Sequence, residues 1–223
     1  MKEKILIAVS SHGKLGDSGR KTGYFLSEVT HPWSVLGEKY EIEVVSPEGG
    51  RPPVDGFDLK DPINKKFWDD PEWQDKMSKT LKPDDVDPFN YKAIFYAGGH
   101  GAMFDFPDNT GLKHIAETIY SNGGYVAAVC HGPAGLVNLC LPDGSSLIKG
   151  KKFDCFTNEE EIENGTQNYV PFMLQSALQE KGGIFTGAAP WSDNVVVDGR
   201  LVTGQNPMSA LDLGKKLLEL LQK

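Results

Sequence analysis

The sequence predicts an α/β fold, a mostly parallel sheet with helices on both faces. Three observations predict it. Short apolar runs recur at residues 4–9 (KILIAV), 41–46 (EIEVVS), 92–97 (KAIFYA) and 125–129 (YVAAV). They are nearly continuous rather than alternating, as in strands covered on both faces. Between them lie helical patterns, such as Leu112, Ile115, Ala116 and Ile119 at three- and four-residue spacing. Strand and helix therefore alternate, which is the βαβ rhythm of a doubly wound sheet.

The elements follow in order. Met1-Lys2-Glu3-Lys4 before ILIAV is too short for a secretory leader and is stopped by Ser10-Ser11-His12, so it reads as a first strand. A helix is predicted from Thr22 to about Leu36, then the strand at 41–46. Residues 51–90 break the rhythm with six prolines, Trp68, Trp73, ten acidic and seven basic residues. A stretch that long is not a simple turn. It is expected to be a packed surface elaboration with one helix near 64–80, or a cap over a site. The strand at 92–97 ends in Gly98-Gly99-His100-Gly101, and a helix over 111–120 precedes the strand at 125–129. Pro133 pre-sets the first turn of another helix. KKFDCF at 151–156 reads as a strand, with helices over 169–180 and 207–221. NVVVDGRLVTG at 194–204 reads as two strands joined at Asp198-Gly199. There is no repeat and no low-complexity linker. With 223 residues, a single domain spanning 1–223 with an elaboration at about 51–90 is expected.

Composition narrows the function classes. Hydrophobic residues are 39% and charged residues 24%, enough for a core and too apolar for disorder. Lys+Arg total 23 against Asp+Glu 31, a net charge of −8. That surface repels phosphate backbones and anionic lipid, so neither nucleic acid nor a membrane is an expected partner. No apolar run approaches the ~20 residues of a membrane span. Three cysteines without CxxC spacing argue against a disulfide framework or zinc ribbon and for a reducing cytoplasm.

The chemistry is concentrated in GGYVAAVCHGPAGL, residues 123–136. A strand runs into Cys130, then His131-Gly132-Pro133, then a helix. This is the layout of a nucleophile elbow. The helix N-terminus beneath the sulfur is expected to favour thiolate, and the N–H groups there can hold an oxyanion. The competing reading is an ordinary buried cysteine; Cys140 is read as packing at a helix end, Cys155 lies in the strand-like KKFDCF, and neither is assigned a role. YAGGHG ends the neighbouring strand on the same side, where ligands of open α/β sheets sit. The Gly99 N–H is a second oxyanion donor, unless the segment is a plain glycine turn. There is no GxxxxGK[ST] or GxGxxG phosphate loop. Glu28 falls among Phe25, Leu26 and Val29. A carboxylate there is costly unless paired, protonated or functional, or unless it turns out to solvent. NEEEIE at 158–163 offers four carboxylates at a helix start. The five histidines show no HExxH-type pairing, so no metal site is expected.

Together AVCHGPA, YAGGHG, KTGYFLSEVTHPW and DGRLVTGQNPMSA resemble the ThiJ/PfpI superfamily, related to class I glutamine amidotransferases, across nearly the whole chain. The nearer resemblance is to the branch of yeast-type heat-shock chaperones and glutathione-independent glyoxalases (glyoxalase III, or D-lactate dehydratase). It implies a flavodoxin-like three-layer sandwich. It also implies a Cys130-His131-Glu161 triad, the acid placed by register with Glu159 and Glu160 beside it. Glu28 would contact the sulfur as a neutral acid. Gly99 and the His131 N–H would form the oxyanion hole, with His100 beside the substrate. The implied reaction converts methylglyoxal to lactate through a cysteine hemithioacetal, without cofactor, and homodimerisation is a common property of the superfamily. The alternatives are a cysteine peptidase or amidase, a protein deglycase, and a holdase chaperone or oxidative-stress sensor. The close C-terminal His-Glu pair of glutamine amidotransferases is missing, because no histidine follows His131.

Overall fold

The computed structural model describes residues 2–223. The first half contains β1 (Lys4–Ala8), β2 (Tyr24–Phe25), α1 (Leu26–Leu36), β3 (Glu41–Val45), β4 (Val54–Asp55), α2 (Pro62–Asp69), α3 (Pro71–Ser78), β5 (Tyr91–Tyr96), α4 (Ala102–Asp105) and α5 (Thr110–Ser121). The second half contains β6 (Tyr125–Val129), β7 (Lys152–Phe153), α6 (Asn158–Glu163), α7 (Leu174–Glu180), β8 (Ile184–Phe185), β9 (Val195–Asp198), β10 (Leu201–Gly204) and α8 (Ala210–Leu221).

Six strands form the central sheet in the order β3-β1-β5-β6-β10-β9. All neighbours are parallel except β9, which turns back on β10 with Leu201 opposite Asp198 across a tight turn at Gly199 (φ 60°). Successive side chains leave a strand on opposite faces. Leu6, Ala8, Ile94, Tyr96, Val126 and Ala128 therefore pack against α5 and α7 on one side. Ile5, Ile7, Ala93, Phe95, Ala127 and Val129 meet α1, α8 and the α2–α3 insertion on the other. The result is the three-layer α/β sandwich. Its chain order changes direction at β1, between β3 and β5, so the carboxyl ends of β1, β5 and β6 flank one crevice.

Several boundaries differ from the sequence reading, each for a local reason. The helix expected from Thr22 begins at Leu26, because Tyr24 and Phe25 pair as a strand with Val54 and Asp55 of the inserted segment. The single helix expected near 64–80 is two. Asp61 caps α2 and Asp70 caps α3, each followed by a proline that starts a helix and cannot continue one. These helices bury Phe67, Trp73 and Met77, with Trp73 edge-on to Trp33 of α1 at 5.5 Å. The helix expected from 169 starts at Leu174, after Pro171. The strand expected over 151–156 is only Lys152–Phe153, and α8 is preceded by a 3₁₀ turn at Pro207–Ser209. The segment after Cys130 is a five-residue 3₁₀ helix, Gly132–Leu136, not an α-helix.

α1 carries Pro32 in its interior. Proline removes the N–H that would bond the Glu28 carbonyl and loosens the first turn. α8 packs against that point through Gly214, where a Cβ would stand 2.9 Å from Pro32 Cα. No described helix is long and apolar enough to cross a membrane.

Candidate active site

Cys130 is the residue after β6 and has φ of 60°, a left-handed conformation that costs a non-glycine residue about 1–2 kcal/mol. The surroundings hold it there. Its N–H donates to Gly204 O at 3.0 Å, and its carbonyl accepts from Phe156 N at 2.8 Å. Gly132 lets the chain turn across β5, because a Cβ there would sit 2.1 Å from Tyr96 O. The strain places the thiol where three strand ends converge.

On one side of the sulfur stands His131, with Nδ1 3.4 Å from Cys130 Sγ. Its Nε2 lies 2.7 Å from Glu161 Oε2. Glu161 reaches it from the first turn of α6, whose start is fixed by reciprocal capping between Thr157 and Glu160. The three adjacent carboxylates thus separate cleanly. Glu161 meets His131, and Glu159 is exposed. Glu160 is buried and accepts from Thr157 N, Trp191 N, Gln205 Nε2 and Asn206 Nδ2 at 2.7–3.1 Å. Trp191, also left-handed at φ 60°, is thereby anchored edge-on to Phe156, whose ring lies 4.4 Å from that of His131.

On the other side stands Glu28, in the first turn of α1 and fully buried. Its Oε2 accepts the Gly98 N–H at 2.7 Å. Its Oε1 has no partner in hydrogen-bond geometry, although the carboxyl lies against the Cys130 sulfur. Glycine is required at 98, since a Cβ would stand 2.5 Å from Glu28 Oε2 and 2.7 Å from His131 N. Gly99 adopts φ of 94° and aims its N–H at the sulfur.

Burial sets the charges. Desolvation pushes the Glu28 carboxyl up to about 8, only partly offset by contacts with Cys130 and Gly98, so it is neutral at pH 7. Burial and then Glu28 push the Cys130 thiol well up, against a smaller pull from Gly99. This runs against the expectation of a depressed thiol: the short 3₁₀ turn supplies little dipole, and Cys130 is only 3% exposed. Burial and neighbouring His100 lower His131, against the opposing pull of Glu161. Burial would raise Glu161, but the charge of His131 and the hydrogen bonds of both histidines outweigh it and hold the carboxyl far below its ordinary range. In its resting form the site holds a thiol, a neutral acid, a neutral imidazole and a carboxylate. It can take a proton from sulfur through His131 as the sulfur attacks, and supply one from Glu28.

His100, expected beside the substrate, has its Nε2 3.0 Å from Glu161 Oε1 and 3.2 Å from Thr166 Oγ1. That nitrogen belongs to the surroundings of the acid. Thr166 also donates to Glu161 Oε1. His100, His131 and Glu161 put three ligating atoms within 4.8 Å of one another, each already bonded to another member of the cluster. Sequence reasoning passed over Thr166 and the anchoring role of Glu160. Only the latter left a signal, the Thr157-x-x-Glu160 spacing. A cavity of about 500 Å³ between Trp33, Tyr40 and Trp73 holds none of these groups.

The chain matches known proteins over nearly its whole length. The DJ-1/PfpI family pattern matches residues 22–220. Glyoxalase 3 of Candida albicans is 36% identical, covering 96% of this chain and 97% of its own. A glutathione-independent glyoxalase of Saccharomyces cerevisiae is 34% identical over 93% of each chain. Among solved structures, the Rapid Encystment Protein 24 kDa of Francisella tularensis superposes with a TM-score of 0.95 at 37% identity, covering 99% of both chains. Glyoxalase III of Candida albicans does so at 0.87 and 34%, covering 97% and 96%.

Proposed function

Because the chain belongs to the DJ-1/PfpI family, we propose that it is a glutathione-independent glyoxalase, converting methylglyoxal and water to lactate. One observation carries the reading. A fully buried, neutral Glu28 lies against the nucleophilic sulfur with one carboxyl oxygen unpartnered. A peptidase needs only the His131 side of the site. An enzyme that moves protons between adjacent carbons needs an acid on the other side as well.

Cys130 Sγ attacks the aldehyde carbon while His131 Nδ1 takes the thiol proton, and the imidazolium is compensated by Glu161. The Gly99 and His131 N–H groups hold the oxyanion until the His131 imidazolium returns the proton to it, giving the hemithioacetal. His131 then removes the proton from that carbon and returns it to the former ketone carbon, while Glu28 gives its proton to the ketone oxygen and takes one back from the hydroxyl of the first carbon, through an enediol. The first carbon is oxidised to a thioester as its neighbour is reduced to an alcohol, so no external redox carrier takes part. The enzyme's own thiol stands in for glutathione. Water, activated by His131, releases lactate and restores the thiol.

An exposure of 3% at Cys130 suits a three-carbon aldehyde better than a polypeptide. Three free thiols suit a reducing cytoplasm. The test is lactate release from methylglyoxal without glutathione, by wild type, Cys130→Ala and Glu28→Ala. Turnover by wild type alone is expected. Equal turnover in all three would remove the proposal.

A further inference from the structure

The triad as read from sequence has one histidine, but Glu161 holds two. Its Oε2 faces His131 and its Oε1 faces His100, one carboxylate oxygen to each imidazole. The two rings lie over one another with centroids 4.0 Å apart, tilted by 38°. His131 is 1% exposed and His100 13%, so the outer ring shields the inner one.

An ionised carboxylate only accepts hydrogen bonds. Each ring nitrogen facing Glu161 must therefore be an N–H. For His131 this puts the proton on Nε2 and leaves Nδ1 bare toward the sulfur, which is the tautomer able to take the thiol proton. A carboxylate gripped at one oxygen only can pivot. Here Oε1 is fixed by His100 and Thr166, so Oε2 stays on His131.

We propose that His100 is a positioning residue for the Cys130 chemistry, acting through Glu161 to lock the His131 tautomer. This rests on the glyoxalase reading of the same site. His100 touches no reacting atom. Its first effect is geometric, through Oε1. The second is electrostatic, because positive charge on His100 and on His131 would compete for one counter-charge. A base too tightly paired with Glu161 would keep the proton it takes from sulfur, whereas the reaction needs it returned to the substrate. The charged or titratable groups facing the two rings are Glu161 and Glu160 of α6, Cys130 of the elbow and, behind the sulfur, Glu28 of α1.

The test compares His100→Ala and His100→Gln with wild type over pH 5–9. Gln retains a donor for Oε1 but cannot carry charge. Losing a hydrogen bond to a carboxylate is expected to lower kcat in His100→Ala by about tenfold or more, with KM within about twofold. The acid limb of its kcat profile should move to higher pH, as His131 holds its proton more firmly. His100→Gln should recover most of kcat while keeping the displaced limb. A rise in KM with kcat unchanged would make His100 a substrate contact and overturn the proposal. So would an unmoved profile, or a Gln variant as impaired as Ala.

Imidazole ¹⁵N spectra recorded in a Cys130→Ala background decide the matter without turnover. His131 should show a bare Nδ1 at pH 7 with His100 present, and a mixture of tautomers in His100→Ala. An unchanged His131 tautomer there would sink the proposal even if wild type is an active glyoxalase. A wild type inactive on methylglyoxal would remove the glyoxalase reading, while these spectra still decide what His100 does.

Discussion

Replacing Glu28 by Gln should silence the enzyme and stabilise the fold, by an amount that depends on pH. The carboxyl is fully buried and its pKa is raised from an ordinary 4.5 to about 8. Below pH 4.5 it is neutral in folded and unfolded chains alike and costs nothing. As pH rises from 4.5 to 8 the unfolded chain ionises it and the folded chain does not, so folding must take up a proton. Stability then falls by about 1.4 kcal/mol per pH unit, or about 3 kcal/mol between pH 5 and pH 7 as an upper figure. Glutamine is neutral throughout. Its amide oxygen can accept the Gly98 N–H, and its NH₂ can face the sulfur. Asp105 and Asp154, raised by burial to about 6 and about 7, titrate in both proteins and cancel in the difference. Urea unfolding of both proteins at pH 5, 6, 7 and 8 measures it. The advantage of Glu28→Gln should grow across that series and level off above pH 8. A difference independent of pH, or one that favours wild type as pH rises, would refute the claim that Glu28 is held neutral.

Other outcomes follow from the same geometry. With a bulky alkylating reagent at pH 7.5, mass spectrometry should find the partly exposed Cys140 labelled before Cys130, whose thiol is buried and pushed up. Glu160→Ala strips four donors of their acceptor and should lower stability by about 3 kcal/mol or more in urea titration. It should also disorder the Trp191 loop, seen as faster proteolysis at residues 187–193. Gly132→Ala drives a Cβ to 2.1 Å from the Tyr96 carbonyl and should prevent recovery of folded protein, whereas Gly123→Ala, in open space, should cost about 1 kcal/mol from its positive φ alone.

The sheet was legible because it rests on local pattern. Apolar runs buried on both faces and the Asp198-Gly199 turn need no partner to be recognised. The misplaced helix starts have tertiary causes. Tyr24 and Phe25 leave the helical pattern because β4, some thirty residues on, offers them a ladder. The 3₁₀ turn after Cys130 reflects glycines at 132 and 135, which let the chain lie against Tyr96. Cys130 announced itself through the strand-to-turn layout of AVCHGP, and the GGHG turn through glycines that tolerate left-handed or close-packed backbone. Glu28 could be suspected only as a carboxylate in an apolar stretch. Glu161 had to be separated from Glu159 and Glu160, and one residue of helical rotation, about 100°, decides that. No sequence feature marked Thr166, which follows α6 and folds back onto its first turn.

Two buried glutamates flank the reactive sulfur system and are driven in opposite directions. Glu28 has one backbone N–H, no cation and a thiol for company, so desolvation wins and it keeps its proton. Glu161 is nearly as buried but is met by two imidazoles and a hydroxyl, so it stays ionised. A separation of this kind is what the proposed acid and counter-ion roles require. It also accounts for the thiol. A permanently ionised Cys130 beside Glu28 would simply take the acid's proton, leaving a buried carboxylate with one donor. In the proposed reaction, a thiol raised by burial and deprotonated by His131 only as it attacks leaves Glu28 loaded for the proton transfer that follows. The cost to stability of keeping Glu28 neutral at pH 7 is thus tied to the step that a simple acyl-transfer triad does not perform.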